Sequence, residues 1–285
     1  MAIAYDTTVA ANTYNHAAAA SVVITPGGTP ANGELMLISI AVAPATNVDP
    51  GAISVTGGTG GWTQISNDYV FNTANGNGFR RAIFYRVAGA SEPATYTASW
   101  TNSDKFSFSF IGYTGASATP LDIAGATVHN LNNFTLVLAA APSVTPVGAT
   151  DLEICVYSYN GASGGTNTLP AALTSRLNQT QSDSVAPWIG IGDIQLSSNN
   201  PTAVQTMQST NTASGFWIWT ADSITISPPA AGGDTFGNQM NLVQMKRKSI
   251  GWSPLFDHRR RVLRPNRALF VQPKLFLPKN FKKAA

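Results

Sequence analysis

The 285-residue chain is poor in charge and nearly devoid of cysteine. Charged side chains make up 11% of the residues, where soluble domains average roughly 25%. Its surface is therefore built from Thr, Ser, Asn, Gly and Ala rather than from Lys and Glu. The single cysteine, Cys155, cannot close an intramolecular disulfide, so nothing implies an oxidising compartment. Hydrophobic residues reach 44%, enough for a sizeable core without disulfide or metal staples. No apolar run approaches the ~18 residues of a membrane-spanning helix. Residues 1–16 lack a basic stretch followed by an apolar one, which argues against a secretory signal. The expected setting is assembly in a host cytoplasm.

Helical periodicity is also missing. Short runs rich in Val, Ile, Thr, Phe, Tyr and Trp recur instead, punctuated by Gly, Pro and Asn. They predict strands at Ala20–Thr25, Glu34–Ala43, Trp62–Val70, Phe79–Ala88, Ala94–Trp100 and Phe106–Thr114. A second set falls at Phe134–Val144, Leu152–Tyr159, Leu169–Gln179, Trp188–Leu196, Ala203–Gln208 and Gly215–Ile226. Alternation shows faces directly: Phe106, Phe108 and Phe110 share one side, and Arg81, Ile83, Tyr85 and Val87 lie opposite Ala82, Phe84 and Arg86. Gly57–Gly61 and Gly161–Gly165 read as loops.

The two strand sets look like an internal repeat. Val22–Pro26 and then Gly33–Leu37 are echoed by Pro142–Pro146 and then Thr150–Ile154. The expected fold is an all-β antiparallel sandwich, jelly-roll-like, over residues 1–228, with pseudo-repeats near 20–120 and 134–228. Each repeat supplies too few strands to bury both of its faces, so the halves should pack face to face.

Charge is unevenly placed. Residues 1–245 hold five basic and thirteen acidic side chains, a net −8, whereas residues 246–285 hold twelve basic and one acidic, a net +11. Ser227–Gly233 has linker composition, and residues 229–245 serve as linker with room for one extra strand. The basic segment is the candidate partner-binding arm. Lys246, Arg247, Lys248, Arg259, Arg260, Arg261, Arg264, Arg267 and Lys274 supply charge; Trp252, Phe256, Leu269, Phe270, Phe276 and Phe281 supply apolar anchors. Pro254, Pro265, Pro273 and Pro278 keep it extended.

Three readings of the arm compete. It could neutralise phosphates, stay disordered as a solubility tail, or lie along a neighbouring subunit as an extended anchor. Its apolar content excludes the second, because segments that stay disordered have low hydrophobicity. The proline-flanked Leu269-Phe270-Val271 and Leu275-Phe276-Leu277 favour the anchor, as in segments that add a strand to a partner's sheet edge. The acidic body of a neighbouring copy is one candidate receiver.

No catalytic or metal-ligating constellation is present. His16, His129 and His258 have no Glu or His at ligand spacing, and HExxH, GxSxG and P-loop patterns do not occur. Cys155, on a strand between acidic neighbours, reads as a small buried hydrophobe. The scattered aspartates read as turn formers, with a loop calcium site as the alternative. Trp62, Trp100, Trp188, Trp217 and Trp219 fall on or beside strands and read as core, with sugar binding as the alternative. No enzyme activity and no cofactor are expected.

Several stretches together carry a resemblance: Gly33–Leu37, Gly61–Ile65, Phe84–Trp100, Gly112–Asp122 and Phe216–Trp219. Their order resembles the β-sandwich domain of many phage structural proteins and bacterial surface proteins, over roughly residues 15–228. The resemblance implies display or assembly. The expected function is that of a phage virion structural protein, a head decoration or head–tail accessory protein held by its arm. Its expected partners are capsid or neck and tail subunits and further copies of itself, with trimers common by family analogy. The alternatives are a carbohydrate-binding adhesin or fibre module, and a virion protein that contacts nucleic acid.

Overall fold

The computed structural model describes residues 2–45, 48–72, 77–132, 136–160, 166–179, 187–210 and 217–230. Every regular element in them is a β-strand, and every strand pairing is antiparallel. The first half of the body comprises β1 (Ala4–Ile24), β2 (Leu35–Ala43), β3 (Ser54–Thr56), β4 (Thr63–Asn72), β5 (Asn77–Val87) and β6 (Tyr96–Thr114). The second comprises β7 (Leu121–Asn132), β8 (Leu136–Ala141), β9 (Leu152–Asn160), β10 (Thr166–Thr168), β11 (Thr174–Asn178), β12 (Trp188–Gln195), β13 (Gln205–Thr210) and β14 (Trp217–Ile226).

The two halves share one topology. The first builds a sheet in the order β1-β6-β2-β5-β4, the second in the order β7-β14-β9-β12-β11. Each adds a three-stranded cover. In the second half the cover is β10-β13-β8. In the first it consists of β3, the beginning of β6 and the end of β1, paired through Ser54–Ser99 and Ser21–Ser99. The long strands β1 and β6 thus pass from one sheet into the other, and register shifts in β1 at Asp6/Ala11, Asn15/Ala19 and Ala19/Ser21 mark where they bend.

Residue-level register repeats too. Leu35 pairs with Val87 and Tyr113, and Leu152 pairs with Gln195 and Ile226. From that anchor Leu37 matches Ile154, Ile83 matches Ile191 and Ile111 matches Ile224, and all of these lie in one core. Both edge strands carry a bulge at the same place: the register skips Ile65 in β4 and Arg176 in β11. The turn into the central strand is also the same. Glu34 accepts a hydrogen bond from the Ala31 N–H, and Asp151 accepts one from the Gly148 N–H.

Packing follows from the sequence of the central strands. Every residue of β2 is buried, and all of β9 except Asn160. A strand apolar on both faces needs a cover on each. The central core joins the two five-stranded sheets through Leu35, Leu37, Ile83 and Ile111 on one side and Ile154, Val156, Ile191 and Ile224 on the other. A second core lies under the first cover, with Ile38, Phe84, Phe108, Phe110, Tyr96 and Trp100. A third lies under the second cover, with Tyr157, Tyr159, Trp188, Met207 and Trp219. Where the second core holds Phe84, the third has Gly192, and Leu173 lies 2.9 Å from where its Cβ would be. Gly190 likewise makes room for the Trp188 ring.

The halves pack face to face as the sequence predicts, each needing the other to cover one face of its large sheet. Other expectations are corrected. The strand expected at Ala20–Thr25 begins at Ala4, and β7 was not expected at all. The segments expected at Ala94–Trp100 and Phe106–Thr114 form the single strand β6.

One ion pair bridges the halves inside the central core. Arg81 of β5 donates through both terminal nitrogens to the Asp222 carboxylate of β14, with Nη2–Oδ1 at 2.7 Å, and both side chains are fully buried. Asp68 lies 3.7 Å from the same guanidinium. Burial lowers the Arg81 pKa from 12.5 to about 10, so the group stays charged at neutral pH. Replacing Arg81 by Met alone strands a buried carboxylate and should cost about 3–5 kcal/mol in urea unfolding. The double variant Arg81→Met/Asp222→Leu should lose less than either single variant. A double variant as unstable as the sum of the singles would show that the pair does not act as a unit.

Candidate functional site

All fifteen arm residues, Lys246 through Phe281, lie outside the described residues, as do the linker beyond Ala230 and the loop Gly161–Gly165. The body shows what the arm departs from and what the body itself can bind.

The body's cations are committed. Arg80 pairs with Asp49, Arg81 with Asp222, Arg86 with Glu92 and Arg176 with Asp193. Each also has a structural task. Arg86 donates to the carbonyls of Gly57 and Gly60, so it holds the glycine loop against the sheet, and its guanidinium stacks 5.1 Å from the Trp62 ring. Arg176 lies 4.7 Å over the Tyr5 ring, while its partner Asp193 also accepts from the Tyr113 hydroxyl.

Six of the body's thirteen carboxylates are internal. Glu34, Asp104, Asp151, Glu153, Asp193 and Asp222 are all buried. Several aspartates serve turns: Asp49 accepts from Gly51 N–H, Asp104 from Ala45 N–H and Asp122 from Val147 N–H. Among the described residues no group of three His, Cys, Asp or Glu side chains could hold a metal ion.

The other singled-out side chains are in the core. Cys155 is buried, and burial followed by the neighbouring Glu153 carboxylate pushes its thiol pKa up, so it is not a thiolate. Trp100, Trp188 and Trp219 are buried, and Trp62 is half-buried against the second core. No sugar-binding face forms from them. The side chains of Trp217, His16 and His129, and all of His258, are outside the described residues.

The root of the arm is well defined. Strand β14 ends at Ile226, and the chain is then fastened by Ser227 N–H to the Pro120 carbonyl and Ser117 N–H to the Ser227 carbonyl. Pro228, Pro229 and Ala230 border an open cavity of about 450 Å³ shared with Asp122, Val147 and Asp151. Burial, then the facing Asp122 carboxylate, raises the Asp151 pKa from 3.8 to about 6 against the hydrogen bond from Gly148.

A carboxyl that holds its proton more tightly when folded stabilises the fold most at low pH. That contribution is full below about pH 4, the usual range of an unfolded aspartate, and is lost as pH rises through about 6. Asp151→Asn should therefore be less disadvantaged at pH 7 than at pH 4.5, measured by denaturation midpoints of both proteins. An unchanged difference between the two pH values would contradict the assignment.

The chain matches no protein-family model, no curated protein and no solved structure.

Proposed function

We propose that this protein is a phage virion structural protein, a head decoration or head–tail accessory protein. In this reading the two-sandwich body is displayed and residues 246–285 bind a capsid, neck or tail subunit. The observation that carries the reading is the division of charge. Four of the body's five basic side chains are arginines spent on its own carboxylates, while twelve basic side chains lie in the last forty residues. Cations available to a partner are thus concentrated in the arm.

The apolar residues between those cations select protein over nucleic acid as the partner. A phosphate-binding tail needs charge alone. Trp252, Phe256, Phe270, Phe276 and Phe281 are suited to pockets on a protein surface. The body's low charge and the resemblance to sandwich domains of phage and bacterial surface proteins support display. Copies of the chain are proposed to associate, as decoration proteins commonly do.

Deleting residues 246–285 should leave a soluble, folded body that no longer enters the particle. Particles assembled with the truncated chain would be compared with wild type by gel densitometry. Normal incorporation would refute the anchor. Binding of the full chain to duplex DNA that falls steeply with salt, without binding to purified shell protein, would favour the nucleic-acid reading.

A further inference from the structure

Each half carries a pair of carboxyl groups at the same place. Tyr5 and Leu121 pair with Tyr113 and Ile226, the residues opposite Leu35 and Leu152. The next residues, Asp6 and Asp122, are therefore equivalent, as are Glu34 and Asp151, which precede the central strands. Strand pairing shifts beside both Asp6 and Asp122, as bulges do where they re-aim a side chain. Asp193 and Asp222, buried elsewhere, each have an arginine. These pairs do not: among the described residues the charged neighbour of Glu34 is Asp6, and that of Asp151 is Asp122.

The second pair sits where the chain leaves the body. Asp122 Oδ2 accepts from Val147 N–H at 2.7 Å, and Asp151 Oδ2 accepts from Gly148 N–H at 2.8 Å. Adjacent amides of one turn thus hold both groups. Gly148 is required there, because a Cβ would overlap the Asp151 carboxyl. Asp122 lies two residues after Pro120, whose carbonyl accepts from Ser227 N–H at 2.8 Å. Both carboxyls border the open cavity of about 450 Å³ that Pro228, Pro229 and Ala230 also line. The pair therefore joins the turn at residues 147–150 to the strand that fastens the departing chain.

A single proton decides whether that joint attracts or repels. With one proton between them the two carboxyls share a hydrogen bond; without it, two like charges face each other. Residues 115–120, 147–150, 195–196 and 227–230 surround the pair with neutral side chains alone. Burial first, opposed by the Gly148 N–H and reinforced by the Asp122 carboxyl, raises the Asp151 pKa to about 6. The proton is present below that pH and leaves as pH rises through it.

We propose that Asp122 and Asp151 form a proton-operated latch on the root of the arm, closed in mild acid and opening more often at neutral pH. Opening is local: the turn at 147–150 parts from the start of β7, and the Pro120–Ser227 fastening loosens with it. The first half repeats the carboxyl pair, but its chain continues into the second half instead of leaving the body. The latch does not depend on what the arm binds, so it stands or falls separately from the virion reading.

The test is amide hydrogen exchange of the full chain, followed by NMR and corrected for intrinsic rates. An aspartate whose pKa is about 4 when open and about 6 when closed makes opening about tenfold more frequent at about pH 7.5 than at about pH 5. Val147, Gly148 and Ser227 N–H should lose protection by that factor, while Thr101 N–H, bonded to the Pro50 carbonyl in the first half, should not change. Asp151→Asn cannot titrate, yet keeps an acceptor for Gly148 and a donor for Asp122; it should hold the acid level of protection at both pH values. Asp122→Asn, which removes the facing charge, should shrink the difference. Equal protection of Val147 and Gly148 at both pH values in the wild type would overturn the proposal. So would a loss that persists in Asp151→Asn with its unfolding midpoint intact.

Discussion

The architecture depends on one constraint: the central strands β2 and β9 are buried on both faces. A sheet with such a strand at its centre cannot face water on either side. One face of each large sheet is closed by its own three-stranded cover, and the other by the large sheet of the opposite half. Four layers and three cores follow from that requirement. The repeated strand order, the repeated bulges at Ile65 and Arg176 and the repeated carboxylate turns at Glu34 and Asp151 show one sandwich plan used twice.

The halves are alike in plan and different in chemistry. The register places Ile189 where the first half has Arg81, and Ser109 where the second has Asp222. The buried ion pair is therefore made once, across the central core, with no symmetric counterpart at the equivalent positions. Replacing such a pair by apolar groups is often neutral for stability. A single polar contact in an apolar interface does discriminate against shifted packings, which would leave it unpaired.

Local patterns were legible, and long-range consequences were not. Alternation placed Phe106, Phe108 and Phe110 on one face, and they lie together in the second core. It also placed Arg81 on the face of Ile83, which is the central core; its partner is 141 residues away and left no local signal. The part of β1 before Ala20 carries no local strand signal because Asp6-Thr7-Thr8 and Asn12-Thr13 are polar, and its pairing partner β6 begins more than seventy residues after β1 ends.

In the functional account a charge-poor body with internally paired arginines is displayed, and a basic, apolar-studded arm holds it to a protein partner. Lysine crosslinking of assembled particles, read by mass spectrometry, tests that most directly through Lys246, Lys248 and Lys274. The account predicts crosslinks from these lysines to a different virion protein. Crosslinks confined to the chain itself, or lysines protected by packaged DNA and released by nuclease, would contradict it.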